Sequence, residues 1–100
     1  MATVTKKDLI DRLADKIQTK RMTVKAVVQQ LLDEITSELA HDNRLEFRDF
    51  GVFEPRTREA RTAQNPKTLE RVQVPAKSTV KFKMGRMMRE RLNDGEIVHG

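Results

Sequence analysis

A chain of 100 residues with 37% hydrophobic and 35% charged side chains, four Phe, no Trp and no Tyr has material for one small core and no second catalytic module. It contains no cysteine, so neither a disulfide framework nor a thiolate metal cage is available, and no apolar run approaches the length that spans a bilayer. The net charge of +5 is unevenly placed: eleven Lys and Arg against three acids give residues 55–91 a balance of +8, while residues 1–54 stand at −1 and residues 92–100 at −2. The first twenty residues are too charged for a signal peptide. The expectation is one soluble, cytoplasmic domain over residues 1–100 whose second half seeks a polyanion, of which nucleic acid is the commonest.

Thr5 followed by Asp8 resembles a capping box, and Leu9, Ile10, Leu13 and Ile17 recur on one face, which predicts a helix over 5–18. The break falls in residues 18–22. Thr23 then caps a second predicted helix over 24–41, with Val27, Val28, Leu31, Leu32, Ile35 and Leu39 on a broad apolar stripe. His41, Asp42 and Asn43 supply the stop, Asn being tolerant of the left-handed conformation.

From Arg44 the period changes to two, Leu45 and Phe47 pointing one way and Arg44, Glu46 and Arg48 the other. Asp49 and Phe50 interrupt the alternation, and Gly51 marks a tight turn or bulge before Val52 and Phe53 restart a strand that persists to about Arg58. Residues 71–82 alternate again, with Pro75 restricting them to an edge or an irregular strand. Residues 52–62 and 70–82 thus form the legs of one long hairpin. Its outer part has almost no apolar face, so it is expected to protrude. Met84, Met87, Met88 and Leu92 predict a short final helix over 84–93, packed as core, that stops at Asn93, Asp94 and Gly95 ahead of a frayed tail.

The fold class is α+β: a helical dimerisation part over 1–43, a three-stranded sheet extended into the hairpin arm over 44–83, and the C-terminal helix. Its core does not close within one chain. The stripe on the second helix needs cover on two sides, and Phe47, Phe50 and Phe53 add aromatic area, so an intertwined dimer is expected.

Enzymatic chemistry has little to work with. His41 and His99 stand alone, at a helix end and in the tail, and Asp8, Asp11, Asp33 and Glu34 read as solvated helix surface. No Gly-rich phosphate loop or metal cluster is present in the sequence, so no enzyme, metal or cofactor is expected. Lys83 and Arg86 are different: cations at a helix start oppose its dipole unless an anion lies between them, and Gly85 would let a phosphodiester approach the backbone. On the hairpin, Arg56, Arg58, Arg61, Lys67 and Arg71 read either as solubilising edge charges or as a polyanion-binding ribbon suited to a DNA groove. Pro66 is either a turn initiator or an apolar wedge, and position alone leaves both open.

Several motifs together carry a family resemblance. They are Thr5-Lys6 with Asp8-Leu9 opening the first helix, Phe50-Gly51-Val52-Phe53 at the strand junction, Arg61-Thr62 with Asn65-Pro66-Lys67-Thr68 on the arm, and Phe82-Lys83-Met84-Gly85-Arg86 opening the last helix. The chain resembles, without gaps from about Lys6 to Leu92, the HU and integration host factor family of bacterial DNA-bending proteins. That resemblance implies an intertwined dimer, of this chain with itself or with a homologous subunit, whose two β-arms embrace the minor groove of double-stranded DNA. It selects the wedge for Pro66. It also implies groove and backbone contacts from Arg56, Arg58, Arg61, Asn65, Lys67 and Arg71, phosphate contacts from Lys6, Lys83 and Arg86 beside Gly85, and an accessory contact from Arg48.

Where the common family pattern reads Arg-Thr-Gly-Arg-Asn-Pro-x-Thr-Gly, this chain has Ala63, Gln64 and Leu69 in place of the two glycines and one arginine. Gln64 would contact DNA as a neutral hydrogen-bonding group, and Leu69 suits a positive φ poorly if the tip needs one. The implied function is architectural DNA bending in the cytoplasmic nucleoid. The alternative is a non-catalytic protein-interaction module whose basic surface docks an acidic partner.

Overall fold

The computed structural model describes residues 1–99, with side chains described as far as Asn93. The chain divides into two compact units, residues 1–37 and 38–100.

The first helix, α1 (Lys6–Lys16), starts as expected. Thr5 Oγ1 accepts from the Asp8 N–H at 3.2 Å, and Asp8 Oδ2 accepts from the Thr5 N–H at 3.0 Å, closing a reciprocal capping box. These bonds, the backbone one first, hold the Asp8 carboxyl below its usual pKa. The helix ends where Gln18 turns left-handed at φ 52, in the predicted break.

The second helix, α2 (Arg21–Ala40), begins three residues earlier than the sequence suggests. Thr23 therefore lies inside the first turn and is not the cap. The Lys20 carbonyl accepts the Val24 N–H, and Arg21 pairs with Asp11 of α1, a long-range contact that local propensity does not reveal. At the far end Asp42, not Asn43, takes the left-handed turn at φ 64, while Asn43 donates to Glu38 through both its backbone and its side chain.

Among the described residues only Ile10 and Val24 are buried hydrophobic side chains, at 2% and 4% exposure. Leu9, Leu13, Ile17, Val27, Leu31 and Leu32 remain exposed on α1 and α2. An apolar stripe left open to this degree calls for a second layer to cover it.

In the second unit, β1 (Leu45–Phe47), β2 (Gly51–Arg58) and β5 (Lys77–Met84) form an antiparallel sheet in the order β1-β2-β5. The expected single pair of hairpin legs is divided, because β3 (Arg61–Gln64) and β4 (Arg71–Val74) form a separate two-stranded sheet. Pairing stops at residues 59–60 and 75–76, two on each leg, and Pro75 has no N–H to donate. Because the gap is equal on both legs, Arg58↔Lys77 and Arg61↔Val74 belong to one uninterrupted register.

Gly51 is not itself left-handed. Asp49 is, at φ 67, and it makes the turn between β1 and β2. Gly51 is required for space: a Cβ there would lie 2.5 Å from the Phe82 ring and 2.7 Å from the Lys83 carbonyl oxygen. Gly85 is equally confined, its Cβ position lying 2.7–2.8 Å from the backbone of Asp49 and Phe50. Its N–H donates to the Phe50 carbonyl at 2.8 Å, which ties the start of the last helix to the β1–β2 turn.

That helix, α3 (Arg86–His99), runs through Asn93, Asp94 and Gly95, where a stop was expected. The unfavourable helix propensity of these residues, about 1 kcal/mol for Gly, is a weak prior that does not end the helix here. The expected frayed tail reaches Gly100, which lies outside the described residues. Met84 and Met87 are 44% and 48% exposed and Met88 is half-buried, so the expected core stripe is largely open among the described residues.

Candidate nucleic-acid interface

Strand alternation and register sort the body sheet into two chemically distinct faces. One face carries Leu45, Phe47, Phe53, Val80, Phe82 and Met84. Its rings meet edge-on or tilted: Phe47–Phe53 centroids are 5.9 Å apart, Phe53–Phe82 4.8 Å, and Phe50 joins from the turn at 5.8 Å from Phe82. The other face carries Glu54, Arg56 and Arg58 on β2 opposite Lys81, Thr79 and Lys77 on β5, with Lys83 opposite Val52. Five cations thus share one surface with two acids, Glu54 of β2 and Glu46 of β1.

Glu54 is the organising group on that face. Its Oε1 lies 3.2 Å from Lys83 Nζ and 3.9 Å from Arg44 Nε. The Lys83 hydrogen bond, with further help from Arg44 and Arg56, holds the Glu54 carboxyl below its ordinary pKa. Lys83 is therefore already paired. So is Arg86, whose Nε lies 3.0 Å from Glu90 one helical turn on, and Lys6 Nζ donates to Gln29 Oε1 in the helical unit. The anions expected beside Lys83 and Arg86 are supplied by the chain itself, and a phosphate would have to exchange with them.

The arm is built differently. Among the described residues Arg58, Arg61, Lys67 and Arg71 enter no ion pair. The ladder is supported by a cross-strand bond from Gln73 Nε2 to Thr62 Oγ1 at 3.2 Å. At the tip the Asn65 N–H donates to the Glu70 carbonyl at 2.8 Å, leaving Pro66, Lys67, Thr68 and Leu69 as the loop. Asn65 Oδ1 accepts from the N–H groups of Lys67 at 2.9 Å and Thr68 at 3.4 Å, an Asx turn that occupies the side chain expected on DNA. Gln64 also turns inward, its Nε2 donating to the Leu69 carbonyl at 3.3 Å. Pro66 is exposed in this ordered loop.

Leu69 resolves the question raised by its replacement of glycine. The tip does require a left-handed residue, and Leu69 adopts it at φ 64, a conformation costing about 1–2 kcal/mol with a Cβ.

Residues 4–93 match the family described as bacterial DNA-binding protein. DNA-binding protein HU of Thermus thermophilus is 38% identical over 90 residues, covering 90% of this chain and 93% of that one. The chain belongs to the bacterial DNA-binding protein family. Integration host factor subunit beta of Marinobacter nauticus is 39% identical over 92 residues, covering 91% and 94%. Among solved structures, an Anabaena HU–DNA cocrystal structure superposes with a TM-score of 0.74 at 31% identity, over 89% of this chain and 97% of that one.

Within this HU and integration host factor family frame the fold gathers Arg56, Arg58 and Lys83 on one sheet face, while the arm that continues the sheet carries Arg61, Gln64, Asn65, Pro66, Lys67 and Arg71, with Arg61 on the face opposite Gln64 and Arg71. Arg48 is elsewhere. It sits in the β1–β2 turn at the opposite end of β2 from the arm, lining a shallow depression with Phe50, Met87, Met88, Arg91 and Leu92. Sequence reasoning missed Lys77 and Lys81, which join the cationic face. Their signal was the alternation of Lys77, Thr79, Lys81 and Lys83 with Ser78, Val80, Phe82 and Met84, which becomes decisive only once β5 is paired with β2.

Among the described residues no group of three or more His, Cys, Asp or Glu is placed to hold a metal ion, and no helix is long and apolar enough to cross a membrane.

Proposed function

We propose that this chain is an architectural protein of double-stranded DNA, acting without a catalytic step or cofactor in the bacterial cytoplasm as part of the nucleoid. It works as a dimer, with a second copy or a homologous subunit covering the open apolar stripe of the helices and, separately, the apolar face of the sheet. The single observation that carries the reading is the cationic sheet face of Arg56, Arg58, Lys77, Lys81 and Lys83, continued in one register into an arm whose own cations have no internal ion-pair partners among the described residues. A two-stranded ribbon of this kind fits a DNA groove, and its basic groups meet phosphate along both walls.

Pro66 is the wedge. It is exposed at the start of a tip loop braced by six hydrogen bonds, so an apolar group can be pressed between base pairs without first ordering the tip. Unstacking costs a few kcal/mol per step, and the kinked duplex then lies closer to the cations of the body. Arg61, Lys67 and Arg71 reach the backbone from the arm, while Lys6, Lys83 and Arg86 exchange their internal acceptors for phosphate. Mobility-shift titration of a random-sequence duplex at two salt concentrations tests this: affinity should fall steeply with salt. Absence of binding at the lower salt overturns the reading.

A further inference from the structure

The arm tip holds one feature that groove binding by cations does not use. Leu69 is a large apolar side chain, 67% exposed, on a backbone conformation that L residues rarely adopt. At that exposure, packing does not offset the strain. Instead its backbone is clamped on both sides: its N–H donates to the Asn65 carbonyl at 2.7 Å, and its carbonyl accepts from Gln64 Nε2 at 3.3 Å. The side chain is therefore presented in a fixed place, in the same four-residue loop as Pro66. Strain maintained at an ordered, exposed site points to use by a ligand.

We propose that Leu69 is a second apolar wedge, entering the base stack beside Pro66 so that each arm presses a two-residue apolar surface into the duplex. The inference rests on the DNA-bending reading above. Residues 61–71 carry three cations and one acid, so the apolar pair sits in a basic surround. Base faces are the apolar surface that a phosphate-lined polyanion offers to such a group, and Leu belongs with Pro among the side chains that unstack base steps. Gln64 acquires a role in the same stroke: with a neutral amide in place of a cation, it positions Leu69 by holding its carbonyl.

The test is a duplex carrying 2-aminopurine at flexible pyrimidine–purine steps, whose fluorescence rises on unstacking. It is titrated with the parent protein, L69A, L69G and P66A. The parent should raise the signal, and L69A and L69G should each retain roughly half of that rise at saturation, with the double variant P66A/L69G near baseline. L69G relieves the left-handed strain, so a loss of signal in L69G without loss of affinity separates the wedge from a mere turn effect. A full rise with both Leu69 variants overturns the wedge while leaving DNA binding intact. So does an unchanged signal accompanied by altered sedimentation of L69A, which assigns Leu69 to a protein contact. Failure of the parent to bind the duplex overturns the proposed function itself.

Discussion

The body sheet and the arm share one register yet are held together by opposite means. In the body sheet, alternate residues divide into a four-ring aromatic cluster and a cationic face whose charges are partly neutralised by Glu54. On the arm, alternation sets Ala63, Val72 and Val74 beside Arg61 on one face and Thr62, Gln64, Arg71 and Gln73 on the other, but the apolar side is too thin to form a core. Val72 is exposed, Ala63 and Val74 are half-buried, and stability comes from the ladder, the Gln73–Thr62 bond and the braced tip. The body is thus specified from within, by packing that tolerates no extra atom at Gly51 or Gly85. The arm lacks such packing, and in the proposed function its unpaired cations gain most when phosphate arrives.

The contrast breaks most visibly if the body is overpacked. Gly85→Ala places a Cβ against the Asp49–Phe50 backbone, which cannot move aside as a side-chain tip would. The expected loss is about 1–3 kcal/mol, a fall in thermal midpoint of several degrees or more for a domain of this size. Thermal unfolding by circular dichroism measures it, and an unchanged midpoint would show that the close approach is relaxed in solution. On the arm the pattern should invert. Arg61→Gln combined with Arg71→Gln should leave the unfolding free energy within about 0.5 kcal/mol of the parent while weakening DNA binding. The log–log salt dependence should become shallower by about 0.9 for each phosphate that the variant no longer neutralises.

A smaller effect should come from an acid on the body's cationic face. Glu54→Gln releases Lys83 and removes an anion from the surface proposed to face DNA, so affinity at low salt should rise by up to about fivefold. Reduced affinity would mean that Glu54 orders Lys83 for binding. Smallest is the pH response of the helical unit. Asp8 has a lowered pKa in the folded chain, so its contribution is present above the ordinary carboxylate value of 3.8 and is lost as pH falls through the lower folded value. Thr5→Ala, which removes the hydroxyl acceptor of the box, should weaken that acid-side loss in a pH series of unfolding midpoints.

Much of this division was legible in the sequence because it is local. The Thr5–Asp8 spacing, the change of period at Arg44, the two hairpin legs and the Asn65-Pro66 turn all depend on neighbours within a few residues. What stayed hidden depends on distant ones. Arg21 starts α2 early through Asp11, Phe82 dictates Gly51, and Lys77 and Lys81 acquire meaning only opposite Arg58 and Glu54. The polar tip residues were also ambiguous, because an Asn or Gln that could meet DNA could equally brace a turn, and Asn65 and Gln64 brace it. The family resemblance located the arm and Pro66, but only the backbone showed that Leu69 takes the conformation for which glycine is suited.

The proposal for the arm is that it bends duplex DNA through Pro66 while the cations supply affinity. Its most direct test is the end-to-end distance of a dye-labelled duplex, followed by energy transfer at saturating protein for the parent and Pro66→Ala. The parent should bring the ends together at low salt, and the variant should bind with similar affinity yet leave them measurably farther apart. Equal distances in the two saturated complexes, or no shortening with the parent, would contradict it.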